Sequence, residues 1–120
     1  MHVISLDKQP ITIDELVSVA RNNRPVAFSV QGETRVRKTR KLVEDWIRNH
    51  KVIYGITTGF GAMCDVIIPA KDARQLQINI IRSHAAGVGN PLAVEVVRAV
   101  MALRIHDISL GYSACGMTPI

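Results

Sequence analysis

Tyr54 heads a glycine-rich loop and is the side chain of this sequence with the clearest capacity for chemistry. The loop follows the strand-like pair Val52-Ile53 and reads Tyr54-Gly55-Ile56-Thr57-Thr58-Gly59-Phe60-Gly61. Its three glycines leave the backbone unusually free, and such loops can hold a reactive side chain against a small ligand. We hypothesise that Tyr54 is a catalytic base, supported by the loop residues Gly55, Thr58, Gly59, Phe60 and Gly61.

A purely structural role for the same loop is the alternative, with Tyr54 packed beside a tight turn. The loop is not a P-loop, because no Gly-Lys-Ser/Thr follows, and it lacks the spacing of a dinucleotide-binding fingerprint. A tyrosine that acts as a base must ionise well below the reference pKa of ~10, so it needs nearby positive charge or hydrogen-bond donors. The loop alone leaves both interpretations open.

A second glycine-patterned segment, Ser83-His84-Ala85-Ala86-Gly87-Val88-Gly89, contains a histidine. The pattern predicts His84 in the last turn of a helix, where a histidine commonly caps or packs. The functional alternative is that His84 hydrogen-bonds a polar group of a ligand, with the small Ala85 leaving room for it. Ser83 and His84 are adjacent and are expected to point in different directions, so no Ser-His catalytic pair is predicted.

The remaining candidate patterns are weaker. A basic run, Arg35, Arg37, Lys38, Arg40 and Lys41, is interpreted as the solvated face of a helix. Nucleic-acid binding through residues 35–41 is the alternative, although no stacking aromatics interleave the charges. The four histidines are scattered and Cys64 and Cys115 lie far apart, so we expect no metal site. One disulfide is the alternative to the two free thiols that we expect.

Length and composition set the broad class. The 120 residues fit one domain or a piece of a larger one, and 48% apolar residues with only 4% aromatic ones predict an aliphatic core. The net charge of +5 permits binding to an anionic partner without establishing it. No run approaches the ~18 apolar residues of a membrane span, and no secretory leader is recognised, so we expect a cytoplasmic chain without a membrane partner.

Mostly helical elements are predicted to position Tyr54 and His84. An extended stretch over 3–11 leads to a Thr12–Glu15 capping box and a helix over 13–22, then a short strand over 25–30. Gly32 opens the next unit, with a helix over 34–49. Two long helices are expected over 70–86, stopped by Gly87, and over 91–109, started by Asn90-Pro91. The inward face of the 34–49 helix would carry Val36, Val43, Trp46 and Ile47, and that of the 70–86 helix Ala73, Leu76, Ile80 and Ile81.

The helix predicted over 91–109 is apolar on nearly all sides. Leu92, Val96, Val100 and Leu103 form one stripe, and further apolar residues lie beside it. A helix of this kind is normally buried on several sides. Because 120 residues supply few elements to cover it, we infer that partners or further C-terminal helices do so.

Together, the two glycine-patterned segments resemble one family, the aromatic amino acid ammonia-lyases and aminomutases. Residues 54–61 are similar to the family's tyrosine loop, and Leu76-Gln77 followed by residues 82–89 is similar to its next signature. The resemblance covers about residues 10–113, with the tyrosine-loop region at 50–66. It implies a mainly α fold with short N-terminal β-strands, the N-terminal domain of the superfamily cut before its central helical bundle.

The resemblance also implies an activity, the elimination of ammonia from an aromatic L-amino acid by a homo-oligomeric enzyme. It implies that Tyr54 removes the β-proton, that the loop glycines allow closure over substrate, and that His84 and Ala85 lie near the substrate ring. A histidine at this position suits tyrosine or histidine better than phenylalanine, and Thr57 favours the tyrosine-type enzymes. The family's electrophile is a methylidene-imidazolone made from an internal Ala-Ser-Gly.

Two departures from the family pattern limit this interpretation. The 120 residues contain no Ala-Ser-Gly and cover about the first quarter of the family's length, so we expect no cofactor in this chain and no catalysis by it alone. His106 replaces a family asparagine, and residues 111–117 leave the family pattern. Lyase and aminomutase share these motifs and are not separated. A non-catalytic self-associating module and nucleic-acid binding stay as alternative functions.

Overall fold

Helices dominate the fold, with two short strands near the N-terminus. The computed structural model describes residues 3–7 and 9–117. Its elements are β1 (Ile4–Leu6), α1 (Ile13–Asn22), β2 (Val26–Phe28), α2 (Val30–Arg48), α3 (Ala73–His84) and α4 (Val94–Ser109), with single 3₁₀ turns at Gly61–Met63 and Ala70–Asp72. The predicted mainly α fold with short N-terminal β-strands is confirmed.

Internal contacts divide the described chain into two compact units. The strand unit comprises the described residues up to Arg40 and from Pro91 onward, and therefore contains β1, α1, β2 and α4. The loop unit comprises Lys41–Asn90 and contains α3 and the Tyr54 loop. Both candidate site residues, Tyr54 and His84, belong to the loop unit.

The strand unit has a small aliphatic core. β1 and β2 pair in parallel, with Ile4 opposite Val26 and Leu6 opposite Phe28, and α1 forms the crossover between them. α4 packs against both α1 and β1. The buried core residues are Ile4, Leu6, Val19 and Ala102, with Leu16, Val26 and Ile105 packed against them.

The predicted capping box begins α1 as expected. The Thr12 hydroxyl accepts the Glu15 backbone N–H at 3.2 Å, and the Glu15 carboxylate accepts the Thr12 backbone N–H at 2.9 Å. The Thr12 backbone N–H, followed by its hydroxyl, lowers the pKa of the Glu15 carboxyl below its ordinary value. The helix ends at Asn22, as predicted, and is followed by Asn23 in the left-handed conformation.

α2 begins at Val30, earlier than the predicted start at Thr34, and the reason is Ser29. The Ser29 hydroxyl accepts the Gly32 N–H at 2.8 Å, and its carbonyl accepts the Glu33 N–H at 2.9 Å, which is how a serine caps a helix. The Ser29 N–H donates to the Leu6 carbonyl at 3.1 Å. Gly32 therefore lies inside the first turn of α2 and does not precede the helix.

The predicted bounds of the other two long helices were wrong at several ends. Residues 70–72 form a 3₁₀ turn before α3, and the helix stops at His84 because Ala85 leaves the helical region with ψ 56°, ahead of Gly87. Asn90-Pro91 does not start α4. Ala93 precedes the helix, and its carbonyl accepts the first helical N–H groups, from Val96 and Val97.

One member of the basic run is not on a solvated face. The Arg35 guanidinium donates to the Asp7 carboxylate at 2.6 Å and to the Ser109 carbonyl at 3.2 Å, and its side chain is 22% exposed, against 63% for Arg37. Gly111, with φ 81°, lies so close that a Cβ there would be 2.7 Å from the Arg35 Cβ. Arg35 is thus a structural residue of the strand unit.

The apolar surface of α4 is largely uncovered. Ala102 and Ser109 are buried, whereas the exposed apolar side chains of the helix are Val94, Val96, Val97, Val100, Met101 and Leu103. That partners or further C-terminal helices cover these side chains stays a prediction. No helix among the described residues is long and apolar enough to cross a membrane.

Candidate functional site

The Tyr54 loop begins with a turn and not with a strand. The Ile53 carbonyl accepts the N–H groups of Ile56 at 3.1 Å and Thr57 at 3.0 Å. Because these turn bonds occupy the Ile53 carbonyl, the strand-like interpretation of Val52-Ile53 was wrong. Tyr54 is consequently presented at a tight turn.

Two threonine hydroxyls inside the loop hold its backbone. Thr57 Oγ1 accepts the Ile53 N–H at 2.9 Å and donates to the Lys51 carbonyl at 2.6 Å. Thr58 Oγ1 accepts the Gly55 N–H at 3.2 Å and donates to the Gly59 carbonyl at 3.0 Å. Both threonines are buried, and no anchoring role was predicted for Thr57.

The segment after the loop pairs with it. The Gly59 N–H donates to the Val66 carbonyl at 3.0 Å, and the Ile68 N–H donates to the Thr57 carbonyl at 2.8 Å. Thr58 and Ile67 form an isolated antiparallel bridge between these bonds. The backbone of residues 57–59 is therefore held by the segment 66–68 in addition to the two threonine hydroxyls.

Close approach explains two of the loop glycines. A Cβ on Gly59 would lie 2.6 Å from the Met63 carbonyl oxygen, and a Cβ on Gly55 would lie 2.8 Å from the Phe60 ring. Gly55 also has φ 70°, which side chains rarely adopt. Gly61 has φ 53° and open space around it, so backbone conformation alone favours glycine there.

The phenol of Tyr54 is accessible. Tyr54 is 64% exposed, and its ring meets Phe60 edge to face, with centroids 5.9 Å apart and planes at 71°. Its hydroxyl makes no hydrogen bond with any described residue. Phe60 therefore orients the ring while the oxygen stays available to a ligand.

Gln77 ties the loop to α3, a contact that the sequence did not reveal. Its side-chain Nε2 donates to the Gly55 carbonyl at 3.1 Å, next to Tyr54. Gln77 lies seven residues before His84 on the same helix. One hydrogen bond thus connects the backbone beside Tyr54 to the helix that ends in His84.

His84 lies in the last turn of α3, as predicted, and is its final residue; it is exposed together with Ala85. Its Nδ1 lies 3.0 Å from the Ile80 carbonyl oxygen and 2.9 Å from Ser83 Oγ. The expectation that Ser83 and His84 point in different directions was wrong, because both side chains fold back to the same carbonyl. Ser83 Oγ donates to that oxygen at 3.0 Å, so the hydroxyl hydrogen is not committed to His84 as in a nucleophilic pair.

The other histidine and cysteines noted from the sequence are divided between the two units: His106 and Cys115 belong to the strand unit, and Cys64 follows the Tyr54 loop in the loop unit. His106, on α4 of the strand unit, is 2.9 Å through Nε2 from the Gln9 carbonyl oxygen. Cys64 and Cys115 are free and half-buried. Among the described residues no cluster of three or more His, Cys, Asp or Glu could hold a metal ion. Within the basic run, Arg35 is engaged in its ion pair with Asp7, and nucleic-acid binding through residues 35–41 stays a prediction.

Comparison with known proteins gives a consistent family. A family model for aromatic amino acid lyases matches residues 11–119. Histidine ammonia-lyase of Streptococcus gordonii is 40% identical over 119 residues, which is 99% of this chain and 23% of that protein. Histidine ammonia-lyase of Alkaliphilus oremlandii is 44% identical over 113 residues, 94% of this chain and 22% of that protein.

The fold comparison agrees with the sequence comparison. The tyrosine aminomutase of Streptomyces globisporus superposes with a TM-score of 0.89 at 31% identity, over 95% of this chain and 22% of that one. The chain therefore spans less than a quarter of the length of the relatives it matches. The family resemblance noted from residues 54–61 and 82–89 is confirmed, and this chain belongs to the aromatic amino acid lyase family.

Proposed function

We propose that this chain provides the catalytic base and a ring-binding residue of an enzyme that eliminates ammonia from an aromatic L-amino acid, with histidine as the favoured substrate. The observation that carries the proposal is the 40–44% identity, over nearly the whole chain, to relatives named histidine ammonia-lyase. The loop geometry supports it, since an exposed phenol stands on a backbone fixed by buried hydroxyls.

The part proposed for Tyr54 is removal of a proton. As the phenolate, its oxygen takes the β-proton of the substrate, and the electron pair of that C–H bond forms the Cα–Cβ double bond. The Cα–N bond breaks, and ammonia leaves with its electron pair. The Tyr54 hydroxyl makes no hydrogen bond with any described residue, which leaves its oxygen free to approach the substrate.

The electrophile of the family lies outside this chain. A methylidene-imidazolone made from Ala-Ser-Gly makes the amino group a better leaving group in the family that the sequence resembles. These 120 residues contain no Ala-Ser-Gly, so none of them can form that group. For the same reason we propose that the chain alone releases no ammonia from histidine, tyrosine or phenylalanine, and product from the pure chain would contradict this.

A chimera tests the proposed function. This chain would replace the matching segment of the Streptococcus gordonii histidine ammonia-lyase, and release of ammonia from each of the three amino acids would be measured. We expect activity on histidine, reduced about 10²–10⁴-fold by Tyr54→Phe because the base is lost.

The matched control is Tyr112→Phe, because the other tyrosine of the chain is 88% exposed and lies in the strand unit. It should leave the activity unchanged. A folded chimera without activity, or one in which Tyr54→Phe and Tyr112→Phe behave alike, would overturn the proposal.

Self-association is a second candidate function, favoured by the exposed apolar side chains of α4. Burying such apolar surface in an interface between copies of the chain would be energetically favourable. Sedimentation velocity over a concentration series should detect oligomers that Val100→Lys weakens. A stable monomer at high concentration would count against this function.

A further inference from the structure

We propose that Ile80 and Ser83 hold His84 as the Nδ1–H tautomer, so that Nε2 presents a free lone pair to a hydrogen-bond donor on the substrate ring. The proposal deepens the proposed function and rests on it for the identity of the ligand. His84 touches the substrate in this scheme, and Ser83 is a positioning residue that acts through His84.

Three atoms at the end of α3 form a closed triangle of hydrogen-bond distances. The Ile80 carbonyl oxygen is 3.0 Å from His84 Nδ1 and 3.0 Å from Ser83 Oγ, and Nδ1 is 2.9 Å from Oγ. All three residues lie within the last turn or so of one helix, so the arrangement depends on local backbone geometry alone.

The carbonyl oxygen decides where the hydrogens lie. A carbonyl accepts and never donates, so a lone pair on Nδ1 facing it at 3.0 Å would set acceptor against acceptor. A hydrogen on Nδ1 makes that contact attractive. The Ser83 hydroxyl then donates to the Ile80 carbonyl, and its own lone pair accepts from the same Nδ1–H.

A neutral imidazole carries a single N–H, so Nε2 of His84 is left as an acceptor. Nε2 makes no hydrogen bond with any described residue, and His84 is exposed. In this tautomer Nε2 of His84 offers a ligand a lone pair and carries no hydrogen.

This polarity selects among aromatic rings. An imidazole N–H or a phenol O–H satisfies the Nε2 acceptor, whereas a phenyl ring would cover it without a donor. The substrate class that fits is an aromatic amino acid whose ring carries a hydrogen-bond donor. A site that hydrogen-bonds a ring group rejects the analogue that lacks it more strongly than an apolar pocket does.

Nitrogen NMR tests the tautomer without any need for activity. The ¹⁵N-labelled 120-residue chain would be studied at alkaline pH, where histidine side chains are ordinarily neutral. We expect the Nε2 resonance of His84 at the position of a lone-pair nitrogen and Nδ1 at that of an N–H. The signals would be assigned with His84→Gln, and the exposed His50 serves as the internal reference.

Ser83 variants test the positioning role. Ser83→Ala should shift the His84 population toward Nε2–H, and Ser83→Thr, which keeps a hydroxyl, should restore the original spectrum. A His84 tautomer ratio equal to that of His50 would overturn the proposal. Identical spectra for the Ser83→Ala and unaltered chains would remove Ser83 from it.

The chimera separates this inference from the proposed function. Ser83→Ala should lower the preference for histidine over phenylalanine in kcat/KM by about tenfold or more, and Ser83→Thr should recover it. An active chimera without the Nδ1–H tautomer would refute the inference alone. The predicted tautomer in an inactive chimera would refute the proposed function and leave the His84 geometry standing.

Discussion

The strand unit and the Tyr54 loop are stabilised by different interactions. The core of the strand unit is aliphatic, with Ile4, Leu6 and Val19 buried between sheet and helices. In the loop, Thr57 and Thr58 are buried instead, and their hydroxyls bond to the loop backbone. Apolar packing tolerates exchange among side chains of similar size, whereas hydrogen bonds fix the loop only with these donors and acceptors.

The largest effect is expected in the aliphatic core. Leu6 is 1% exposed, so Leu6→Ala should lower the free energy of unfolding by about 2–5 kcal/mol through lost burial and a cavity. Urea denaturation followed by far-UV circular dichroism measures the change. Leu103→Ala, at an exposed position of α4, is the matched control. Equal losses for the two variants would mean that the core does not lie where these contacts place it.

A smaller but more local effect is expected in the loop. Thr57→Val keeps the shape of the side chain but leaves the Ile53 N–H and the Lys51 carbonyl without their partner, at a cost of about 1–3 kcal/mol. Faster hydrogen exchange at the Ile53 amide should report it, and Thr57→Ser should retain protection. An unchanged exchange rate of the Ile53 amide in Thr57→Val would show that the Thr57 hydroxyl does not stabilise the loop.

The link from the loop to α3 should contribute less again. Gln77→Leu removes the donor to the Gly55 carbonyl and should cost about 0.5–1.5 kcal/mol. Exchange of the neighbouring Gly55 amide would rise. Gln75→Leu is the control, since Gln75 bonds Asn79 on the exposed side of the same helix. If the control accelerates Gly55 exchange as much, the Gln77 contact does not hold the loop.

The smallest effect concerns pH and the strand unit. The pKa of Glu15 is lower in the folded chain because Thr12 hydrogen-bonds its carboxylate. The resulting stabilisation is fully present above the ordinary glutamate pKa and is lost as pH falls through the lowered folded value. The free energy of unfolding, measured across this acidic range, should decrease as pH falls, and the decrease should be smaller in Glu15→Gln. An identical fall in Glu15→Gln would assign it to other carboxylates.

Local chemistry is what the sequence predicted well. The Thr12–Glu15 capping box involves residues three apart, so α1 was predicted with its observed bounds. The two glycine-patterned segments located Tyr54 and His84 and identified the family. The start of α4 predicted from Asn90-Pro91 was wrong, because the helix begins at Val94. Suitable cap residues do not guarantee that a helix starts beside them.

Contacts between distant residues were beyond the sequence patterns. The hydrogen bond from Gln77 to Gly55 spans 22 positions, and the ion pair of Arg35 with Asp7 spans 28. Sequence periodicity cannot predict contacts between residues so far apart. The His84–Ser83 contact was missed for another reason. Adjacent helical residues have diverging Cα–Cβ directions, but at the end of α3 both side chains turn back to the same carbonyl, that of Ile80.

The connection between β2 and α2 consists of Ser29 alone, and its length is fixed by the hydrogen bonds of that residue. It is the single residue between Phe28 and Val30, and its N–H, carbonyl and hydroxyl are all engaged, by the Leu6 carbonyl on one side and by Glu33 and Gly32 on the other. An inserted or deleted residue here would separate the cap from the strand bond. Natural length variation in this part of the family should therefore fall in other connections and avoid this one.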